Sequence, residues 1–151
     1  MSKKTAVVAA AVGMVLLPFA GVASAATPLP CGSGYQCDDF DPGKASWDKK
    51  DTDDRTSLGC STVELRSGKN NGSWYGWGRL TVGSVCGRYD AWIDRSYDGG
   101  KSWTLVGYFE VTDIEGSNFG NMFYWPDGAK IRAGLKKHGD PFSKCRTTAW
   151  H

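Results

Sequence analysis

The sequence predicts an all-β fold, a small antiparallel β-sandwich or barrel that is stapled by disulfides and follows an N-terminal signal peptide. Three observations support this prediction. Apolar and polar residues alternate with a period of two from residue 62 onward. All five cysteines lie after residue 30, and the chain opens with a lysine pair and a short apolar run. Alternation is typical of half-buried strands. Export from the cell explains both the cysteines and the lysine pair with its apolar run.

The first 25 residues have the three-part layout of a secretory signal. Lys3 and Lys4 precede an apolar run over residues 6–20, and small residues occupy positions 23–25. The run is shorter than the roughly 20 strongly apolar residues that a comfortable membrane span needs. We therefore expect cleavage after Ala25 and a secreted, extracellular protein that is not held at the membrane.

The charge balance argues against nucleic acid and membrane surfaces as partners. The 18 basic side chains lose Lys3 and Lys4 on cleavage and then equal the 16 acidic ones in number. A neutral chain has no broad positive field that would attract nucleic acid or anionic lipid. We expect neither class of partner.

Cysteine spacing predicts disulfides and not a metal site. No C-x-x-C pair occurs, and only two histidines accompany the five cysteines. Two bridges use four cysteines in an oxidising compartment and leave one over. We predict the bridges Cys37–Cys60 and Cys86–Cys145. Cys31 is then the odd thiol, able to pair with Cys37 instead or with another chain.

One domain is expected after the signal peptide. Proline and glycine punctuate residues 26–50, which are predicted to form an irregular N-terminal segment. Residues 51–151 are predicted to form the β domain, because short alternating runs are separated there by turn residues. The clearest runs cover residues 63–65, 80–82, 89–93 and 103–111, and weaker ones cover 121–125, 129–135 and 145–150.

A turn motif lies between two of these strands. Ser96, Asp98, Gly100 and Trp103 fit the pattern S-x-D-x-G-x-[ST]-W, which resembles the Asp-box hairpin of sialidases and several unrelated β proteins. The aspartate can accept turn amides, the glycine takes unusual backbone angles, and the tryptophan packs beneath the turn. We interpret the motif as structural, because a lone turn carries no catalytic group.

A cluster of aromatic residues supplies the candidate binding site. Trp74, Tyr75 and Trp77 lie close together, and Tyr75 and Trp77 share one face if the segment is a strand. Planar side chains on a sheet can stack sugar rings or anchor a protein partner. The alternative is that they complete the core of a small protein, since large aromatic side chains are mostly buried.

Signals for catalysis and metal binding are sparse. The chain has no G-x-S-x-G elbow, zinc motif or phosphate loop. Asp48, Asp51, Asp53 and Asp54 lack the spacing of an EF-hand, so a solvated loop is favoured over a calcium site. We predict no catalytic residue, no metal and no cofactor. A ribonuclease stays open as an alternative, because His138 could act with a glutamate on phosphate, the candidates being Glu64, Glu110 and Glu115.

Part of the chain follows a spaced pattern of cysteine, glycine and tryptophan. The pattern consists of residues 37–42, which end in Asp41-Pro42, followed by Gly59-Cys60, residues 79–86 and Trp92. The order resembles small secreted actinobacterial proteins with a cysteine-containing domain of unknown function, although Trp92-Ile93-Asp94 stands where they have W-A-R. The resemblance covers about residues 37–94. It implies a disulfide-bonded extracellular β domain and supplies no catalytic residue.

The leading functional hypothesis is a secreted, non-enzymatic module that docks another extracellular protein, as an inhibitor or an adaptor. A neutral, aromatic-rich domain without a catalytic set favours it, and residues 26–50 could extend into a partner groove. The first alternative is binding of glycans or the cell wall through Trp74, Tyr75 and Trp77. The second is a small secreted hydrolase such as a ribonuclease.

Overall fold

The computed structural model describes residues 27–111 and 116–151, so the predicted signal peptide lies outside the described residues. These residues contain β-strands and three short 3-10 turns but no α-helix. None of their helical turns is long and apolar enough to cross a membrane. The strands are β1 (Lys49–Leu58), β2 (Ser61–Asn70), β3 (Ser73–Val82), β4 (Tyr89–Ser96), β5 (Thr104–Val111), β6 (Gly116–Phe119), β7 (Phe123–Trp125), β8 (Lys130–Lys137) and β9 (Arg146–Thr147).

The strands form two antiparallel sheets. The first sheet has the order β1-β2-β3-β6, and β7 also pairs with β3. The second sheet has the order β5-β4-β8-β9. Two-residue turns join β1 to β2 and β2 to β3, so the three strands form a meander. The predicted all-β antiparallel fold is confirmed, and face-to-face packing of the sheets makes it a sandwich.

The main core lies between the two sheets. Val63 on β2 and Leu80 on β3 are cross-strand partners, and both are buried against the second sheet. Removing such side chains from water contributes about 1.5–3 kcal/mol each, which makes this layer the chief source of stability. The second sheet contributes Tyr89, Ala91, Ile93, Ile131, Ala133 and Leu135.

A smaller core covers the opposite face of the first sheet. Tyr75 and Trp77 alternate with the main-core residues along β3 and therefore point away from the second sheet. Residues 27–48 fold over them, with Trp47 against both rings. A backbone bridge between Phe40 and Met122 fastens this segment to the chain ahead of β7. We expected that residues 26–50 could extend into a partner groove, but in the described part of this segment Leu29 and Cys37 are buried on the sheet and Trp47 is half-buried there.

Two β-bulges change the direction of side chains. In β1, the pairing with β2 shifts between Thr52 and Asp54, which leaves Asp53 as the extra residue. In β5, Gly107 pairs with Ile93 of β4 and Leu105 pairs with the next residue, Asp94. Val106 is therefore the extra residue. A bulge bends its strand and re-aims the residues that follow. The acidic stretch was expected to be a loop and is instead strand β1, because β2 provides an antiparallel partner along its whole length.

The disulfides differ from the predicted pairs. Cys31 bonds to Cys37 and Cys60 bonds to Cys86, while Cys145 is a free thiol. Cys60 lies in the β1–β2 turn and Cys86 in the β3–β4 connection, and these two turns meet at one end of the sandwich. The predicted bridges are wrong because Cys145 directly precedes β9 at the outer edge of the second sheet, while Cys37 belongs to the N-terminal segment and is buried against the first sheet.

The turn motif forms as an internally bonded hairpin. Asp98 accepts hydrogen bonds from the Ser96 hydroxyl at 2.8 Å and from the Ser102 hydroxyl at 2.6 Å. Gly100 has a φ of +93°, and a Cβ there would lie 2.6 Å from the indole nitrogen of Trp150. Trp150 is thus the ring against the turn, whereas Trp103 is 53% exposed. Trp103 was expected to pack beneath the turn, and this prediction is wrong. The bulge at Val106 turns the side chains that precede it, including Trp103, toward solvent.

Candidate ligand-binding cleft

The structure separates the three aromatic residues that the sequence offered as a binding site. Tyr75 and Trp77 are buried in the smaller core, where the Tyr75 hydroxyl accepts a hydrogen bond from the Gly34 amide at 2.9 Å. These two residues are therefore core residues and not surface anchors. Trp74 lies on the other face of β3, at its end, and is only half-buried. Of the three candidates, Trp74 is the one placed at an opening.

Trp74 lines a cleft at one end of the sandwich. The cleft has a volume of about 270 Å³. Four structural elements meet there: the bulge in β1, the middle of β2, the paired ends of β3 and β7, and the turn that leads into β8. The lining residues are Asp53, Ser67, Trp74, Trp125, Pro126, Asp127, Gly128 and Ala129.

The second tryptophan of the cleft comes from β7. Trp125 is the cross-strand partner of Trp74, which places the two indoles side by side on the sheet. The Trp125 indole nitrogen donates a hydrogen bond to the Ala129 carbonyl at 3.1 Å, and this bond holds the ring against the following turn. Trp125 was not among the site residues expected from the sequence, although the turn-forming residues Pro126, Asp127 and Gly128 follow it directly.

Two buried polar atoms of the cleft have no hydrogen-bond partner among the described residues. One is the hydroxyl of Ser67, a residue with 0% exposure, and the other is Oδ2 of Asp53. Buried polar groups in native proteins nearly always have partners, because an unmade bond costs about 1–3 kcal/mol. The hydroxyl can donate or accept, and the carboxylate oxygen accepts. The floor of the cleft is therefore equipped for a ligand that carries hydroxyl groups.

Charges around the cleft nearly balance. The ammonium groups of Lys49 and Lys69 lie 5.7 and 5.6 Å from the centre of the Trp74 ring. Lys49 also pairs with Asp51 at 2.7 Å, and the hydrogen bond that it donates to this carboxylate raises the pKa of Lys49. Asp53 and Asp127 supply negative charge on the other side. Because lysines already occupy the cation–π positions at Trp74, the cleft suits a neutral ligand better than a cationic one.

A second polar cluster lies on the outer face of the second sheet. Asp90 is buried, and its carboxylate accepts a hydrogen bond from Lys136 Nζ at 2.6 Å and lies 2.8 Å from His138 Nδ1. Burial alone would raise the pKa of Asp90, but hydrogen bonds from Lys136, Tyr108 and His138 outweigh burial and lower it. Asp90 is therefore a carboxylate that fixes the orientation of the His138 ring.

Glu110 lies beside this cluster. Potential ligand atoms of Asp90, Glu110 and His138 are within 4.8 Å of one another, so these side chains could hold a metal ion. Lys136 already neutralises Asp90, and Arg88 lies 3.4 Å from Glu110. Both carboxylates are therefore paired with a basic side chain and need no metal ion to balance their charge. The cluster brings His138 and Glu110 together, as an acid–base pair requires. Glu64 lies in the other sheet, and Glu115 lies outside the described residues.

The acidic side chains of β1 and of Asp48, which directly precedes it, do not share one site in the described structure. Asp48 accepts a hydrogen bond from the Asn71 amide, Asp51 pairs with Lys49, and Asp54 accepts from the Ala149 amide at 2.8 Å. These carboxylates thus serve separate partners along the strand.

No protein-family model, curated protein or solved structure matches this chain.

Proposed function

We propose that this protein is a secreted carbohydrate-binding module whose site is the cleft between Trp74 and Trp125. The observation that carries the proposal is the pair of unpartnered polar atoms, Ser67 Oγ and Asp53 Oδ2, beside two half-buried indoles. A sugar offers both surfaces that such a site needs. Its C–H face packs on an aromatic ring, and its hydroxyl groups donate to the carboxylate and exchange hydrogen bonds with the serine.

The dimensions and the charge of the cleft agree with this ligand class. A volume of about 270 Å³ at the end of the sandwich accommodates a single small ring system. The balance between Lys49, Lys69 and the acidic side chains favours a neutral sugar over an anionic or cationic ligand. The chain would then hold one residue of a longer glycan, with the rest of the polymer outside the cleft.

Retention on insoluble polysaccharide tests the proposal. The protein without residues 1–25 is incubated with chitin, cellulose or purified cell wall of the producing organism, and the bound fraction is measured with and without free sugar. Trp74→Ala is expected to weaken retention about tenfold or more, the size of effect typical of an aromatic anchor. Trp103→Ala is the matched control, because Trp103 is an exposed tryptophan of the second sheet.

Three results decide between the outcomes. Retention that free sugar relieves, and that Trp74→Ala removes while Trp103→Ala does not, supports the cleft as the site. Equal loss in the two variants would place binding elsewhere on the surface. Absence of retention on all three polysaccharides would refute the proposal.

A second candidate function is docking of another extracellular protein. It is favoured by exposed apolar side chains on the outer face of the second sheet, namely Trp103 and Leu105, which precede the β5 bulge, and Phe142. Aromatic side chains of this kind are enriched at protein interfaces. Cross-linking of the tagged protein in culture medium tests this candidate: a stoichiometric partner cross-linked next to Phe142 supports it, and recovery of the monomer alone counts against it.

A further inference from the structure

A depression on the covered face of the first sheet collects hydrogen-bond donors. It lies where the N-terminal segment stops short of the strand ends, and it has a volume of about 230 Å³. Lys50 on β1, Arg66 on β2 and Arg79 on β3 line it, together with the edge of the Trp77 ring. Phe119, the cross-strand partner of Arg79 on β6, forms an exposed wall.

Three of these donors have no hydrogen-bond partner among the described residues. They are the indole nitrogen of Trp77 and the Nε atoms of Arg66 and Arg79. Trp77 is only 2% exposed, so water does not satisfy its indole from the bulk solvent. Each of the three atoms is a donor and cannot accept. The three residues that carry these donors all line the one depression, so an acceptor ligand that carries negative charge would satisfy them.

The charge of the depression supports the same ligand. Glu64 forms ion pairs with both Arg66 and Arg79, so one carboxylate serves two guanidinium groups. Asp41 also lines the depression, and its Oδ1 accepts a hydrogen bond from the Gly43 amide at 2.8 Å. With Lys50 included, three cations face two carboxylates, and one positive charge is left over in a half-buried site.

We propose that this depression binds an oxyanion, the carboxylate or phosphate group of a polar ligand. Guanidinium groups present parallel N–H donors that match both oxyanions, and charge-assisted bonds to them are the strong class of hydrogen bond. The exposed Phe119 ring would pack against the body that carries the anion. This site is on the opposite face of the sheet from the Trp74 cleft, so it is independent of the proposed glycan site.

Calorimetric titration of the intact mature protein tests the proposal. The probes are glycerol 3-phosphate and glucuronate in a low-salt chloride buffer, with glucose as the neutral counterpart. Arg79→Met is expected to weaken binding about tenfold or more, since it removes charged hydrogen bonds. Lys50→Met alters an exposed side chain, and a several-fold loss is expected from it without risk to folding. Arg146→Met is the matched control, because it removes one exposed positive charge from β9.

The binding measurements either support the oxyanion site or overturn it. Binding of either probe that is weakened by Arg79→Met and Lys50→Met, but not by Arg146→Met, supports the site, and the preferred probe tells an acidic sugar from a phosphate ester. A shift of the Trp77 indole N–H resonance on adding that probe, assigned with Trp77→Phe, is expected as well. Absence of saturable binding up to about 50 mM, far weaker than specific recognition, would overturn the proposal. Equal losses in all three methionine variants would also overturn it, since that result reports net charge alone.

Discussion

Trp47 lies nearly flat on Trp77, with ring centroids 5.1 Å apart and ring planes 22° apart. This stack makes Trp77 a structural residue, and Trp77→Ala is expected to cost about 3–5 kcal/mol of unfolding free energy, as large aromatic truncations in cores do. Urea denaturation followed by circular dichroism measures it. Trp74→Ala, at the half-buried cleft, is expected to cost less. A Trp77→Ala protein with unchanged stability would contradict the burial of this ring.

The same stack depends on a glycine beneath it. A Cβ on Gly68 would lie 2.4 Å from the Trp47 ring, so Gly68→Ala must push the ring aside at a cost of about 1–3 kcal/mol. In a Trp47→Ala background this cost should largely vanish, because the clashing atoms are gone. A double-mutant cycle on unfolding free energies checks this coupling. Additive effects of the two changes would show that Gly68 matters for another reason.

Disulfide connectivity is testable by peptide mapping under non-reducing conditions. We expect a Cys31–Cys37 peptide, a Cys60–Cys86 peptide and one thiol, Cys145, that reacts with a thiol reagent. The bridges span 6 and 26 residues, and loop-closure entropy then gives losses of about 2 and about 3.5 kcal/mol when each cysteine pair becomes serine. A Cys86–Cys145 peptide would disprove the pairing described here.

Asp98 makes the stability of the turn depend on pH. Hydrogen bonds from the Ser102 hydroxyl and amide, and then from the Ser96 hydroxyl, lower its pKa from 3.8 to about 2. A group whose pKa is lowered by folding stabilises the folded state above its unfolded pKa, and this contribution disappears as the pH falls through the folded value. Asp98→Asn should therefore lower the melting temperature at pH 6, and the difference from the unaltered protein should shrink between about pH 4 and pH 2. A difference that stays constant down to pH 2 would contradict the role of the carboxylate.

Because Asp90 and Lys136 form a buried ion pair, replacing one of them alone is expected to lower the free energy of unfolding strongly. Lys136→Met leaves the Asp90 carboxylate buried without its cation and is expected to cost about 3–5 kcal/mol. The double variant Asp90→Asn, Lys136→Met should recover much of this loss, because no buried charge is left uncompensated. Denaturant unfolding of the single and double variants provides the measurement. If both variants are equally unstable, packing and not charge explains the effect.

Much of the fold could be predicted from local pattern. The runs around Val63, Leu80 and Ile93 became β2, β3 and β4 with the expected faces inward, because alternation reports burial on one side of a sheet. Strand β1 escaped prediction for the converse reason. Its charged residues carry no apolar alternation, and it is a strand because β2 supplies its hydrogen-bond partners.

The candidate site was harder to predict, because it depends on register and on bulges. Alternation across residues 103–111 placed Trp103 and Leu105 inward, but the extra residue Val106 turns both outward. The bulge at Asp53 similarly brings a carboxylate to the Trp74 cleft. Sequence spacing does not reveal where one residue is inserted against a partner strand, nor that Trp125 pairs beside Trp74 from 51 residues away.

The cover formed by residues 27–48 has a consequence for how the protein responds to proteolysis. A protease that cut after Asp48 and released this segment would uncover Tyr75, Trp77 and Met122 together on one sheet face. A contiguous apolar surface of that kind drives self-association. Nicked molecules should therefore precipitate or form aggregates while the sheet itself stays paired, so the shelf life of the protein is set by the integrity of its N-terminal segment.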